Sequence, residues 1–169
     1  MKTALKIATV LTWFNIIVWG GIVAFGLLGM LITAQMPLLA GFVLMSSIPL
    51  NCYAALKLQS SIRHPNIPLS HQTPVGIRFV GLMAMFFGFT DIASGVSIIA
   101  KPREMMDAMK EMAANIGGAA PAEIAAMGKT LVVVGGLATI FLGLVVVVNV
   151  ILNLRLLRWF YLVQKSDVS

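Results

Sequence analysis

Long apolar runs separated by short polar segments dominate the chain. No charged residue occurs from Ile7 to Leu56, Phe79 to Ala100 contains only Asp91, and Thr130 to Leu154 contains none. A helix needs about 20 apolar residues to cross a bilayer. The pattern therefore predicts membrane-spanning helices, with Asp91 as the one charged position inside the second of these runs.

The first run is long enough to cross a bilayer twice, with a break at Gln35, Met36 and Pro37. We therefore expect an all-α, integral membrane four-helix up-down bundle, a single transmembrane domain over residues 1–169. An amphipathic outer loop at 102–128 is expected before the fourth span. The expected spans are about 7–33, 38–58, 76–100 and 129–158.

The composition agrees with this prediction. Hydrophobic residues make up 59% of the 169 residues and charged residues 11%, whereas soluble domains carry about 25% charged residues. Four spans leave no room for a soluble catalytic domain. The apolar stretch from Ile7 to Thr33 is also too long for the core of a signal peptide, so we interpret it as a retained span.

The basic residues are expected to lie on one side of the membrane. Eight of the twelve Lys and Arg residues flank the predicted spans on that side: Lys2, Lys6, Lys57, Arg63, Arg78, Arg155, Arg158 and Lys165. Lys and Arg in short loops favour the cytoplasm. We therefore expect both termini to be cytoplasmic and the protein to be multi-pass in a bacterial inner membrane. The net charge of +6 then reflects topology, and no nucleic-acid partner is predicted.

Polar residues inside the predicted spans are the first candidate site. Asp91 lies near mid-membrane, where a carboxylate is costly and marks a functional site by default. Either it serves a proton or cation pathway, or it is protonated and hydrogen-bonded to Thr90, Ser94 or an asparagine of a neighbouring helix. The asparagines Asn15, Asn51, Asn149 and Asn153 either line a cavity open to the cytoplasm or bond one another across helices.

The outer loop contains the second candidate site. Pro102 suits the first turn of a helix, and four methionines follow at positions that place them on one face: Met105, Met106, Met109 and Met112. Methionine forms adaptable apolar contact surfaces, which favours an interfacial or partner-docking helix. Thioethers also suit Cu(I), so copper binding is the alternative, although no His or Cys accompanies the methionines.

Small residues form a ladder in the fourth span, at Gly135, Thr139 and Gly143. Such ladders allow helix backbones to approach closely in lipid. The contact is predicted either within the bundle or with another subunit.

Other chemistry is weakly indicated. Cys52 is the single cysteine, and His64 and His71 lie seven apart in a predicted loop. A structural metal site needs three or four ligands, so we interpret these histidines as solvated. We predict no metal and no cofactor, and we find no nucleophile–base pair.

The stretch 56–81 resembles the cytoplasmic loop of an uncharacterised family of small four-span bacterial membrane proteins, known as a domain of unknown function. The resemblance implies a fold and a location, with no activity. The residues that carry it are Leu56, Leu58, Ile62, Arg63, Pro68, Leu69, Ser70, Ile77 and Arg78.

The expected function is non-catalytic: an accessory or scaffolding subunit of a membrane complex, or a homo-oligomer. Its expected partners are the lipid bilayer and other membrane subunits or further copies of itself. The alternative is a small channel or transporter for protons, cations or small solutes that uses Asp91. An enzyme acting on a lipid or quinone is a third hypothesis.

Overall fold

The structure, a computed structural model, describes residues 2–33, 39–64, 66–116 and 128–166. These residues form helices and no strand, which confirms the expected all-α class. The predicted break at Gln35, Met36 and Pro37 lies outside the described residues. The helices are α1 (Lys2–Thr33), α2 (Leu39–Met45), α3 (Ser47–Arg63), α4 (Gln72–Val75), a π-helical turn (Gly76–Val80), α5 (Gly81–Ala100), α6 (Pro102–Ile116) and α7 (Gly128–Ser166).

Four helical stretches are long and apolar enough to cross a membrane, as the sequence predicts. This is compatible with a multi-pass membrane protein. α2 with α3 forms one of these stretches, and α4, the π-helical turn and α5 form another. The four stretches are Thr3–Gly29, Gly41–Arg63, Gln72–Ala100 and Val132–Val163.

The second stretch is interrupted at Ser46, between α2 and α3. Pro49 has no backbone N–H and therefore cannot bond the carbonyl four residues earlier, at Met45. The Ser46 N–H still bonds the Phe42 carbonyl at 2.9 Å, and its hydroxyl donates to the Val43 carbonyl at 2.6 Å. The chain therefore continues in a helical direction through the interruption.

The chain divides into two compact units. Unit 1 comprises Met1–Gly88 and Val145–Ser169, and unit 2 comprises Phe89–Leu144. Unit 1 brings together α1, α2, α3, α4, the π-helical turn, the first turns of α5 and the second half of α7. At one end of unit 1, α1, α3, the π-helical turn and α7 meet in an apolar cluster of side chains at most 2% exposed: Ala8, Leu58, Ile77, Leu156 and Leu157.

Contacts within unit 1 define the helix directions. Thr9 of α1 contacts Arg63 near the end of α3, so these two helices run antiparallel. α7 runs in the same direction as α3, since Asn149 lies beside Cys52 and Asn153 beside Gln59. Within this unit, α3 and α7 therefore run in one direction and α1 runs in the opposite direction.

The outer faces of the helices are apolar, whereas their inner faces contain both apolar and polar side chains. Along α1, Val10 is 67% exposed, Ile17 70% and Phe25 77%. The two tryptophans of this helix differ, because Trp13 is 52% exposed while Trp19 is 5% exposed. Trp19 packs edge-on against Phe87, with ring centroids 5.6 Å apart. An apolar exterior of this kind suits a lipid environment.

Unit 2 contains the end of α5, α6 and the first half of α7. Its closest backbone approach joins Gly95 of α5 to Gly136 of α7. A Cβ atom on Gly95 would lie 2.6 Å from the Gly136 carbonyl oxygen, and one on Gly136 would lie 3.0 Å from the Gly95 carbonyl oxygen. Only glycine allows the two helices to come this close.

Candidate functional site

The core of unit 1 contains a row of buried polar side chains, here called the polar seam. Each is at most 1% exposed. The spacings on each helix (three, eight and four residues) place these side chains on one face. The members are Thr12 and Asn15 on α1, Asn51 and Gln59 on α3, and Asn149 and Asn153 on α7.

Gln59 is the centre of the hydrogen bonds in the seam. Its Nε2 donates to the Thr12 hydroxyl at 3.2 Å and to Asn153 Oδ1 at 3.0 Å, which joins α3 to both α1 and α7. Its Oε1 accepts from the Thr9 hydroxyl at 3.0 Å. Arg63 lies at the end of the seam next to Gln59, and its Nη2 donates to the Thr9 hydroxyl oxygen at 2.5 Å.

Asn149 continues the seam toward the middle of the unit. Its Oδ1 accepts from the Thr12 hydroxyl at 3.0 Å and from Asn153 Nδ2 at 3.1 Å. Its Nδ2 lies 3.5 Å from the buried Cys52 sulfur, within range of a weak hydrogen bond. The bonded part of the seam thus consists of amides and hydroxyls with a thiol at one end and a guanidinium at the other.

The two remaining asparagines of the seam have no such partners. Both side-chain polar atoms of Asn15 and of Asn51 are buried without a hydrogen bond in the described part of the chain. The Trp19 indole N–H and the Ser47 hydroxyl share this property. A Cβ on Gly81 would lie 2.9 Å from Asn51 Oδ1, so the amide lies directly against the α5 backbone. Buried polar atoms without partners cost about 1–3 kcal/mol each, and water often satisfies such atoms.

The four asparagines of the expected spans differ in their hydrogen bonding. Asn149 and Asn153 bond each other within α7, and each also bonds a side chain of another helix. Asn15 and Asn51 are buried in the same core without such bonds in the described part of the chain. The alternative of a cavity open to the cytoplasm stays a prediction. Gln59 is not among the predicted polar residues of the spans, because it lies just past the predicted end of the second span. The threonines at positions 9 and 12, on one face of α1, are the sequence feature that indicates a polar partner for this helix.

Asp91 belongs to unit 2 and lies in α5. Its side chain is half-buried, and its Oδ2 is buried with no hydrogen-bond partner among the described residues. The predicted hydrogen bonding is therefore not seen at this oxygen.

The predicted outer helix corresponds to α6, which starts at Pro102. Met105 and Met106 are half-buried, whereas charged residues of the same helix, such as Asp107, are exposed. The side chains of Met109 and Met112 lie outside the described residues. Lys101 forms an exposed ion pair with Glu104 at 3.1 Å, next to the start of the helix.

The three small residues of the predicted ladder in α7 differ in their exposure. Gly135 is exposed, and a Cβ there would meet no atom within 4 Å. The Thr139 hydroxyl donates to the Gly135 carbonyl at 2.9 Å, within the helix. Gly143 is buried, and a close backbone contact with α5 is made by Gly136, which is not among the predicted site residues.

The side chains of His, Cys, Asp and Glu form no metal-binding cluster in the described part of the chain. There, no three side chains among His, Cys, Asp and Glu lie together as a metal ion would require. His64 and His71 are both exposed in the segment between α3 and α4.

Fold and site together define an all-helical chain with four helices long and apolar enough to cross a membrane, and with a mostly neutral polar core in unit 1. Comparisons of the chain with family models, with curated proteins and with solved structures find no match. The resemblance of residues 56–81 to a four-span bacterial family therefore stays a prediction.

Proposed function

We propose that this chain is a multi-pass protein of a bacterial inner membrane that serves as a non-catalytic accessory or scaffolding subunit, either of a larger complex or of a homo-oligomer. The observation that carries the proposal is the set of hydrogen bonds around Gln59. These bonds connect side chains of α1, α3 and α7 to one another. Side chains engaged in this way hold helices in register and are not free to carry a reaction.

The chemistry of the seam supports a structural role. Amides and hydroxyls bond one another across helices inside a membrane protein, with coupling energies of about 0.6 kcal/mol on average. Several such bonds fix which faces of α1, α3 and α7 meet. The bonded side chains at the centre, Thr12, Gln59, Asn149 and Asn153, are neutral, so they supply neither a general base nor a counter-ion for a substrate.

The basic end of unit 1 supports the proposed orientation. Arg63, Arg78 and Arg158 all lie near the helix ends that meet at the apolar cluster around Leu58 and Leu157. Excess Lys and Arg mark the cytoplasmic side of a membrane protein. In the proposed topology this end, with both termini, faces the cytoplasm.

The outward faces supply the surfaces on which a scaffold would be built. Gly20, Gly21 and Gly135 lie on helices that could cross the membrane, and a Cβ on any of them would meet no atom within 4 Å. Backbone exposed at small residues allows close approach by another helix. Half-buried Met105 and Met106 on α6 add an adaptable apolar surface outside the spans.

A small channel or transporter is the second candidate, and a specific observation favours it. Asn15 and Asn51 are buried with unused hydrogen-bonding atoms, as a binding site for water or a small solute would have. Asp91, which belongs to unit 2, is a separate acidic group that a pathway for protons or cations would use. This candidate predicts flux across a membrane, whereas a scaffold predicts none.

One experiment separates the two candidates. The protein is extracted from native membranes with a mild detergent, and the intact particle is weighed by native mass spectrometry. If the protein is a scaffold, the particle should contain this chain at a fixed stoichiometry with other identifiable polypeptides or with further copies of itself. The purified particle is then placed in liposomes and tested for proton, potassium and glycerol flux. A monomer that conducts one of these, and loses conduction in Asn15→Leu or Asp91→Asn, would overturn the proposal.

A further inference from the structure

Two neighbouring cavities open at the basic end of unit 1. The larger, of about 700 Å³, lies between the segment that joins α3 to α4 and the last turns of α7. Its walls include Ser70, His71, Arg78, Trp159 and Tyr161. A volume of this size is typical of a site for a small molecule, which usually needs about 300–1,000 Å³.

The second cavity, of about 510 Å³, shares two residues with the first, so the two adjoin. Its lining is distinctive, because two arginines lie beside three leucines, here called the leucine wall. The residues that line it are Arg78, Leu154, Leu157, Arg158, Tyr161 and Leu162.

The arginines of this region have no Asp or Glu beside them among the described residues of the unit. The described part of unit 1 contains no Asp or Glu, since its one acid in sequence, Asp167, lies outside the described residues. Arg78 and Arg158 are both exposed. Two guanidinium groups with no carboxylate at hand form a site for a ligand with a negative charge, and the planar guanidinium suits phosphate in particular.

The local backbone around Arg78 is also unusual. Arg78 lies in the middle of the π-helical turn Gly76–Val80. π-Helical turns are rare within α-helices and occur frequently at functional sites.

We propose that these adjoining cavities form a binding site for an anionic phospholipid. The headgroup phosphate lies between Arg78 and Arg158, with the Tyr161 hydroxyl and His71 available as further donors. An acyl chain lies along Leu154, Leu157 and Leu162. This proposal rests on the membrane location that the proposed function includes, but it does not depend on the scaffolding role.

A phospholipid fits this site better than a soluble phosphate does. A soluble anion would use the arginines and leave the leucine wall exposed, whereas a lipid uses both. Basic pockets between helices on the cytoplasmic side are a known form of anionic-lipid recognition, and Trp and Tyr favour the headgroup level. Trp159 and Tyr161 lie at this level on α7 if Val132–Val163 spans the bilayer.

The test uses the full chain purified in a mild detergent. Native mass spectrometry measures the apparent affinity for phosphatidylglycerol and for phosphatidylcholine, which differ in headgroup charge. Phosphatidylglycerol is expected to bind about ten-fold more tightly, the size expected for a charge-assisted hydrogen bond. Equal binding of the two lipids would overturn the proposal without the need for any variant.

Variants locate the site. Arg78→Gln and Arg158→Gln should each reduce the preference for phosphatidylglycerol by about ten-fold. Arg155→Gln is the matched control, because Arg155 is exposed on the same helix but lines neither cavity. It should change the preference less than two-fold by the same reasoning. An equal loss of the lipid preference in all three variants would show that positive charge in general attracts the lipid, without a specific site. That result would overturn the proposal.

A competition experiment separates the two sources of phosphate. Inorganic phosphate at millimolar concentration should leave bound phosphatidylglycerol in place, because it cannot occupy the leucine wall. Displacement of the lipid by phosphate would assign the site to a soluble anion instead. Thermal unfolding of each variant without lipid checks that the fold is retained.

Discussion

Gly95 and Gly136 face each other across α5 and α7 with no space for a side chain on either. The Gly136 carbonyl oxygen lies 2.6 Å from the position of a Cβ on Gly95, and the Ile140 amide nitrogen lies 3.0 Å from it. Both neighbours are backbone atoms, which cannot move away as the end of a side chain can. This contact therefore sets the separation of two helices in unit 2.

Substitution of Gly95 by alanine should destabilise the protein by about 1–3 kcal/mol, because overpacking at a backbone contact forces the helices apart. Thermal or denaturant unfolding in detergent, followed by circular dichroism, measures the change. Gly135→Ala is the matched control: its Cβ would meet no atom within 4 Å, and alanine favours helix by up to about 1 kcal/mol. Equal stability of the two variants would contradict the packing argument.

Replacement of Gln59 by leucine should lower the free energy of unfolding by about 1–3 kcal/mol. The leucine keeps the approximate volume but removes the hydrogen bonds of Gln59 to Thr12, Asn153 and Thr9, and it leaves the buried Asn153 Oδ1 without its donor. Unfolding in detergent measures the effect.

An exposed glutamine provides the control for that change. Gln72, at the start of α4, is exposed, so Gln72→Leu should change stability by less than about 0.5 kcal/mol. A double-mutant cycle with Thr12→Val then isolates the bond between Thr12 and Gln59. A coupling energy of zero would show that the two side chains do not stabilise each other.

Asp91→Asn should raise the free energy of unfolding at neutral pH by about 1 kcal/mol or more. The buried Oδ2 has no hydrogen-bond partner among the described residues, and a neutral amide is less costly to bury than a carboxylate. Thermal unfolding in detergent is the measurement, with Glu111→Gln on exposed α6 as the control for loss of a charge. A loss of stability in Asp91→Asn would instead reveal a specific partner of the carboxylate.

The sequence by itself determined the helical class and the four apolar stretches. Both follow from local composition: a run such as Thr130 to Leu154 without a charge is long enough to cross a bilayer whatever it packs against. The first turn of α6 at Pro102 was predictable for a similar reason, since proline lacks the N–H that a helix leaves unpaired at that position.

Tertiary structure alone decided which polar and small residues meet. Asn149 and Asn15 have similar settings in sequence, yet one bonds Thr12 and Asn153 while the other has no partner among the described residues. Gly135 and Gly136 are adjacent, yet only Gly136 packs against α5. These differences depend on the rotation of each helix about its axis. That rotation is set by contacts with residues distant in the chain, such as the bond between Thr12 and Asn149, which are 137 positions apart.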